Sequence, residues 1–347
     1  MTTRNIRLAG ALLLCALFVS ACGSSASSSS QNSATSPTAA AATVAGGGSS
    51  NLSGVTLRIG DQAGTGAQAL LTAAGLIDRL PFKVTWSDFT SGPPMLQAMS
   101  AGALDLGGVG DAPPVFAAAG GAKIAIVAAL RNNPNNAALV VPKNSPITSI
   151  GQLRGKTIAV AQGSSADYHL LTVLTKAGLS VHDVSLEYLQ PAEGLAALNS
   201  GSVAAWDIWS PFIEQVKIER AARVLVNGIG YGSNFSYVVA SRAALGDGAK
   251  AAAIGEYIKL LAQAHTWANT HPQAWAAQWS KATGLPLSVM VAAAKDDTAT
   301  AAPITPEIVS NEQSLVNAFS AAGLIPSKYD FSQYSYTGFN SVLAQGA

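Results

Sequence analysis

Thr157-Ile158-Ala159-Val160-Ala161-Gln162-Gly163-Ser164-Ser165-Ala166-Asp167 is the stretch on which the fold turns. An apolar, partly β-branched run ends near Gly163, and two serines then open a periodic segment that lasts to Ala177. That order is strand, tight turn and helix N-terminus. It recurs upstream: Val55 to Gly60 reads as a strand and Ala67 to Leu80 as a helix. Phe82 to Trp86, Pro94 to Ala101, Leu104 to Val109 and Pro114 to Ala119 continue the alternation, and Lys123 to Leu130 and Ala138 to Val141 complete a first lobe. Past Pro142 the pattern restarts and runs to about Ile218. Strands at Val224 to Val226 and Phe235 to Ala240 lead back, and helices fill Ala251 to Ala321. Alternating β and α elements predict an α/β fold, each lobe a mostly parallel sheet flanked by helices. The expected boundaries are 54–140 for the first lobe, 141–234 for the second and 235–347 for the return and C-terminal helices. The two crossings, near 139–143 and 233–237, form a hinge, and the cleft beneath it is the expected ligand site.

Composition narrows the function. Of 347 residues, 49% are apolar and only 11% charged, with a net charge of +1. That excludes a basic nucleic-acid wrapper, an acidic tail and a highly charged disordered chain. Two cysteines exclude a multi-bridge scaffold and a multi-cysteine zinc site, and no metal or cofactor is expected.

The first residues have a targeting pattern. Arg4 and Arg7 precede the apolar run Leu8 to Val19, which is too short for a convincing membrane span. Val19-Ser20-Ala21-Cys22 resembles the lipobox of bacterial lipoproteins. Residues 1–21 are therefore expected to be a signal peptide, and the thiol of Cys22 to carry lipid, with a further acyl chain such as palmitate on its amine. The alternatives are an uncleaved anchor helix or cleavage elsewhere. Cleavage before Cys22 removes two arginines, so +1 becomes −1, and Cys15 leaves with the signal. The Ser-, Ala-, Thr- and Gly-rich run to Ser53 has no charge and no apolar face, so 22–53 reads as a disordered tether.

Several loop-to-helix junctions offer binding chemistry. Ser91-Gly92-Pro93-Pro94 is either an ordinary capped turn or an anion site built from Ser91 and the amide of Gly92. Gly163, Ser164 and Ser165 are either a cap or a cradle for a tetrahedral oxyanion, and the absence of a Walker lysine argues against a nucleoside triphosphate. Asp111 is favoured as a cap for the helix after it over a ligand contact, and Gln62 stands where it can donate to an anion. In Trp206-Asp207-Ile208-Trp209-Ser210-Pro211, alternation points the two indoles differently, so at most one of them need face the ligand and the other is core. Asp207 is either a partner for a cationic group or a carboxylate bonded locally. Arg131 either supports an anion from behind or is solvated, and Trp267, Trp275 and Trp279 are read as packing residues.

Taken in order, Ser91 to Met99, Gly102 to Asp105, Gly110 to Phe116, Asn144 to Ile147, Leu153 to Lys156, Gln162 to Ser165 and Trp206 to Pro211 resemble the substrate-binding lipoproteins of bacterial ABC importers for aliphatic sulfonates. Taurine and nitrate receptors are relatives. The resemblance runs from about 56 to 335. It implies a two-lobed type II periplasmic-binding fold, a sulfonate held between the lobes, and delivery to a membrane permease driven by a cytoplasmic ATPase, for sulfur acquisition. It places Ser91, Gly92, Gly163, Ser164 and Ser165 near the sulfonate oxygens, and Gln62, Asp111 and Trp209 at the cleft. It implies a lipid-anchored, extracytoplasmic monomer with no nucleic-acid partner. Many members carry an acid where this chain has Ser210, so a plain alkyl or aromatic sulfonate is favoured over taurine unless Asp207 turns inward. Nitrate, taurine or a small vitamin-precursor heterocycle are the alternatives within the class.

Two other classes compete. Gly64-Thr65-Gly66-Ala67-Gln68-Ala69 fits a loose dinucleotide pattern with Asp88 as ribose acceptor, but three residues separate it from the strand. An oxidoreductase would reveal itself by bound dinucleotide or hydride transfer. No Gly-x-Ser-x-Gly elbow is present, and the spacing of His265 and His271 suits no single helical face. A structural surface lipoprotein would bind no small ligand saturably.

Overall fold

The structure, a computed structural model, describes residues 51–62 and 66–344. The expected signal peptide, Cys22, nearly all of the tether, and Gly64 and Thr65 of the glycine motif lie outside them.

The chain first builds β1 (Thr56–Gln62), α1 (Ala67–Ala73), β2 (Lys83–Phe89), α2 (Gly92–Ser100), β3 (Leu106–Gly110), α3 (Ala112–Ala119) and β4 (Ile124–Asn132). It continues with β5 (Ala137–Pro142), β6 (Thr157–Val160), α4 (Ser165–Lys176), β7 (Ser185–Tyr188), α5 (Pro191–Ser200), β8 (Ala205–Trp209), α6 (Phe212–Ile218) and β9 (Ala222–Asn227). It returns through β10 (Phe235–Ser241), α7 (Arg242–Gly246), α8 (Gly248–Thr270), α9 (Pro272–Thr283), α10 (Leu287–Ala293), β11 (Ala299–Ala302), α11 (Pro306–Ala321) and α12 (Asn340–Ala344). One sheet has the order β11-β4-β10-β3-β1-β2 and the other β7-β6-β8-β5-β9.

Both sheets are mixed. β1 runs parallel to β2 and β3, and β6 parallel to β7 and β8. The first strand after each crossing runs against its neighbours: β5 is antiparallel to β8 and β9, and β10 to β3 and β4. A chain that leaves one sheet at the cleft enters the next at the cleft, so its entering strand points the opposite way. For the same reason Ala138 to Val141 belongs to the second sheet and not the first. The crossings fall at residues 133–136 and 228–234, so the expected first-lobe boundary at 140 lies one strand too late. The expected helix from Ala67 to Leu80 also stops early, because Gly75 adopts φ 66°, a left-handed turn that ends it.

Glycine shapes the first sheet. A Cβ on Gly107 would stand 2.5 Å from Met95 Sδ, and one on Gly60 would stand 2.7 Å from Met95 Cγ. Their bareness lets α2 press its buried Met95 onto the strands. The opposite face packs Leu57, Ile59 and Val238 against Ile254, Tyr257 and Trp279. Trp206 and Ile208 form the core beneath the second sheet with Ile213 and Val216. Buried Asp105 binds Arg58 and Lys250 at 2.7 and 2.9 Å. Burial opposes its ionisation, but those partners hold the carboxyl at about 2.

Candidate functional site

A cavity of about 200 Å³ lies between the sheets. Its wall includes the ends of β1, β3 and β8, the starts of α2 and α4, and both crossings. This is the crevice outside the carboxyl ends of strands that open α/β sheets use for ligands. Of the residues expected there, Gln62, Gly92, Asp111, Ser164, Ser165 and Trp209 line it.

The lobes are closed on each other. The hydroxyls of Thr90 and Ser91 both donate to Gln190 Oε1 at 2.8 Å, and the amide of Asp111 donates to Ser165 Oγ at 3.2 Å. A Cβ on Gly110 would lie 1.9 Å from that oxygen, so glycine is what lets α4 approach β3.

Which donors remain for a ligand follows from the hydrogen bonds already made. Ser164 is the N-cap of α4: its Oγ donates to Ala161 O at 2.6 Å and accepts the Asp167 amide at 3.4 Å. Its own amide also donates to Ala161 O. Ser164 therefore shapes the wall without a free donor. The amides of Ser165 and Ala166, in the first turn of a 12-residue helix, have no acceptor among the described residues. They stand at the positive end of the helix dipole, a setting that suits an anion, while the Ser165 hydroxyl is shared with Asp111 of the other lobe. Across the cleft α2 offers the Gly92 amide, since Pro93 and Pro94 have none. Gln62 Nε2 donates to Gly108 O at 2.9 Å, and the indole N–H left without a partner among the described residues is that of buried Trp206, away from the wall.

Ser91 and Gly163 lie away from the wall, and Asp111 and Asp207 take the local roles already open to them. Ser91 is fully buried and latched to Gln190, away from the cavity wall. Gly163 has φ 69°, its amide donates to Asp167 Oδ2 at 2.9 Å, and a Cβ would meet the Phe116 ring at 3.0 Å. It is a turn residue under an aromatic lid, outside the lining. Asp111 lines the cavity, but its Oδ1 takes the Ala112 amide at 2.8 Å and its Oδ2 takes the Ser233 hydroxyl. It is a cap that ties α3 to the second crossing. Asp207 does not turn inward. It is fully buried, and both its oxygens face His169 Nδ1, at 3.0 and 2.8 Å. Outside the expected set, Trp206 is core, and the Arg131 guanidinium lies 4.7 Å over the Phe235 ring, away from the wall.

His169 was not legible as a site residue, yet it lines the cavity one turn below Ser165. Its Nε2–H donates to Asn227 O at 3.1 Å, so both ring nitrogens face acceptors. Burial alone would lower the His169 pKa, but the Asp207 charge and the hydrogen bonds outweigh it and hold it above the ordinary 6.5. The result is an imidazole held in a buried pair with Asp207 beneath the amides of α4; burial raises the Asp207 carboxyl as well, against the His169 charge. Burial pushes Asp167, in the same turn, up to about 7 despite the Gly163 amide. Asp61 caps α1 by accepting the amides of Gln62, Ala67 and Gln68. Burial still raises its pKa. Trp275, Asp297, Tyr257 and His265 complete the inner wall. Only the return of the chain after β10 brings them there.

Among the described residues the wall contains no lysine or arginine. With both nitrogens of His169 engaged, it offers Ser165 no general base. Among the described residues no helix is long and apolar enough to cross a membrane, and no cluster of His, Cys, Asp and Glu could hold a metal ion.

Residues 91–273 match the family model "NMT1/THI5 like". A candidate aliphatic sulfonates-binding protein of Escherichia coli (strain K12) is 33% identical over 281 residues, 80% of this chain and 87% of the relative. The alkanesulfonate-binding protein SsuA from Xanthomonas axonopodis pv. citri, solved bound to MOPS, superposes with TM-score 0.78 at 32% identity, covering 82% of this chain and 99% of that one. The periplasmic aliphatic sulphonate binding protein SsuA from Escherichia coli superposes with TM-score 0.72 at 32% identity, over 81% of this chain and 92% of that one. The chain therefore belongs to the NMT1/THI5-like family, on the branch that includes the aliphatic sulfonate-binding proteins.

Proposed function

We propose that this chain is the extracytoplasmic solute-binding component of an ABC importer, capturing an aliphatic or small aromatic sulfonate and passing it to a membrane permease. One observation carries the reading. Unengaged amides of Gly92, Ser165 and Ala166 converge from two lobes on a cavity without lysine or arginine among its described residues, above the His169–Asp207 pair. A sulfonate stays ionised and needs donors, not proton transfer. Neutral donors with a helix dipole satisfy it without burying an unpaired cation. The sulfonate-binding relatives support the same headgroup.

The protein is read as a receptor and not an enzyme, a reading that the binding-protein relatives support. Its partners are the permease and, through it, the cytoplasmic ATPase. The basic residues Arg4 and Arg7, the apolar run after them and Cys22 support a lipid anchor at Cys22 and a signal that ends at residue 21. Calorimetry of the purified chain with ethanesulfonate, benzenesulfonate, taurine, sulfate and nitrate tests the ligand. Saturable one-to-one binding of the first two supports the reading, and binding of nitrate with no heat from any sulfonate overturns it. Loss of acyl labelling in Cys22→Ala tests the anchor.

A further inference from the structure

The hydrogen bonds of the buried His169–Asp207 pair set its proton count. Asn227 O is a carbonyl and can only accept, so His169 Nε2, 3.1 Å away, carries a hydrogen. Nδ1 stands 3.0 and 2.8 Å from the two oxygens of Asp207, so a second proton lies between ring and carboxyl, whichever of them holds it. With both protons the pair has no net charge. With one removed it is an anion, and one of its two contacts sets a lone pair against a lone pair. No water relieves that contact, since His169 is 1% exposed and Asp207 fully buried. Burial raises the Asp207 carboxyl; it works against a charged His169, but the Asp207 charge and the hydrogen bonds hold the imidazole above 6.5. Around the pair stand Asp111, the cap of α3 in the first lobe, Asp167 in the first turn of α4, and Tyr231 of the second crossing. The Tyr231 ring lies edge-on to the imidazole at 6.0 Å, and Lys176, further along α4, sits 5.0 Å over that ring and donates to Gly230 O. β5, also packed on α4, has no titratable side chain. Asn227 ends β9 immediately before the second crossing, so the pair fastens α4 to the hinge.

We propose that His169 and Asp207 are positioning residues for the first turn of α4, and that they make anion capture there depend on the proton they share. The inference rests on the sulfonate reading above and gives its headgroup site a control by pH. The amides of Ser165 and Ala166 lie about one turn above His169. The neutral pair leaves the positive end of the helix dipole unopposed. The deprotonated pair puts a negative charge behind it and loosens α4 from Asn227 or from Asp207. Linkage runs both ways: a bound anion favours the proton, so capture at alkaline pH takes a proton from solvent. The folded imidazole titrates above 6.5, so affinity is complete below that value and falls as pH rises through the folded one. Asp167, which burial raises to about 7, titrates nearby with the same sign, so the test removes it first. In Asp167→Asn the side-chain oxygen still accepts the Gly163 amide.

The test is calorimetry of the Asp167→Asn chain with ethanesulfonate. Affinity should fall about tenfold or more from pH 6 to pH 9, within the usual range of coupling between two sites. At pH 8 the binding heat should differ between Tris and triethanolamine, neither of them a sulfonate, by the amount that proton uptake requires. Adding His169→Gln and Asp207→Asn leaves a neutral amide pair, and affinity should then hold within about twofold over the same range, with no buffer dependence. Constant affinity and no proton uptake in the Asp167→Asn chain would overturn the proposal and leave the sulfonate reading standing. So would an equal pH dependence in the chain without the pair. Where a variant does not fold, imidazole nitrogen NMR of the unmodified chain decides. The His169 titration should move up by about one pH unit when ethanesulfonate saturates the site, and an unmoved midpoint, as a merely structural pair would give, overturns the linkage. Failure of ethanesulfonate to bind at any pH would overturn the sulfonate reading itself.

Discussion

Replacing His169 by alanine is the sharpest test of the buried pair under the site. His169 is 1% exposed and Asp207 fully buried, and Asp207 has no other side-chain hydrogen bond among the described residues. Removing one partner of such a pair strands a charge in the interior, which costs about 3–5 kcal/mol. At roughly 2.1 cal/mol/K per residue, a body of about 290 residues has an unfolding entropy near 0.6 kcal/mol/K. The expected fall in Tm is then about 5–8 °C by scanning calorimetry. His169→Ala/Asp207→Ala should recover part of it, since the stranded carboxylate goes too. The pH dependence has a definite sign. His169 has a raised pKa when folded, so its stabilisation is complete below 6.5 and is lost as pH rises through the folded value. Asp167, raised from 3.8 to about 7, acts in the same direction: its share is complete below 3.8 and is gone above about 7. The unmodified chain should therefore lose Tm as pH rises, between about 4 and 7 through Asp167 and from 6.5 upward through His169. A drop under about 2 °C in His169→Ala, or a double variant no more stable than the single, would refute the argument.

Other expectations follow from the same geometry. Ser165→Ala removes a hydroxyl facing the cavity and should weaken ethanesulfonate about tenfold in calorimetry; unchanged affinity would count against the α4 site. Ser164→Ala should instead cost about 1 kcal/mol of stability in urea unfolding, with a smaller effect on binding, because its hydroxyl is a cap. Gly163→Ala should destabilise by about 1–2 kcal/mol, from the left-handed backbone with the Phe116 ring at 3.0 Å; a neutral result in thermal melts would remove that account. Gln190→Ala cuts the latch to Thr90 and Ser91 and should raise the ligand dissociation rate severalfold in stopped flow, with Tm nearly unchanged.

The junctions at Gly92 and Ser165 were legible because apolar periodicity marks a strand and a helix, and the serine or glycine between them marks the turn. Such local rules see which residues can present a free amide. They do not see which hydroxyls are already engaged. Ser164 and Ser165 are adjacent and identical in type, yet one bonds Ala161 within its own lobe and the other takes the Asp111 amide across the cleft. Asp207 was open to two roles, and the choice came from His169, 38 residues away in the chain.

The sequence alone determined the α/β alternation, the return of the chain to its first lobe and the kinds of group available at each loop, since these follow from neighbours within a few residues. Tertiary structure decided where the crossings fall, which donors are left unengaged, and that α8, α9 and the turn before β11 close the far end with Tyr257, Trp275 and Asp297. The physical reason is that a free hydrogen-bonding group is defined by what every other segment has already taken, and only the folded packing settles that balance.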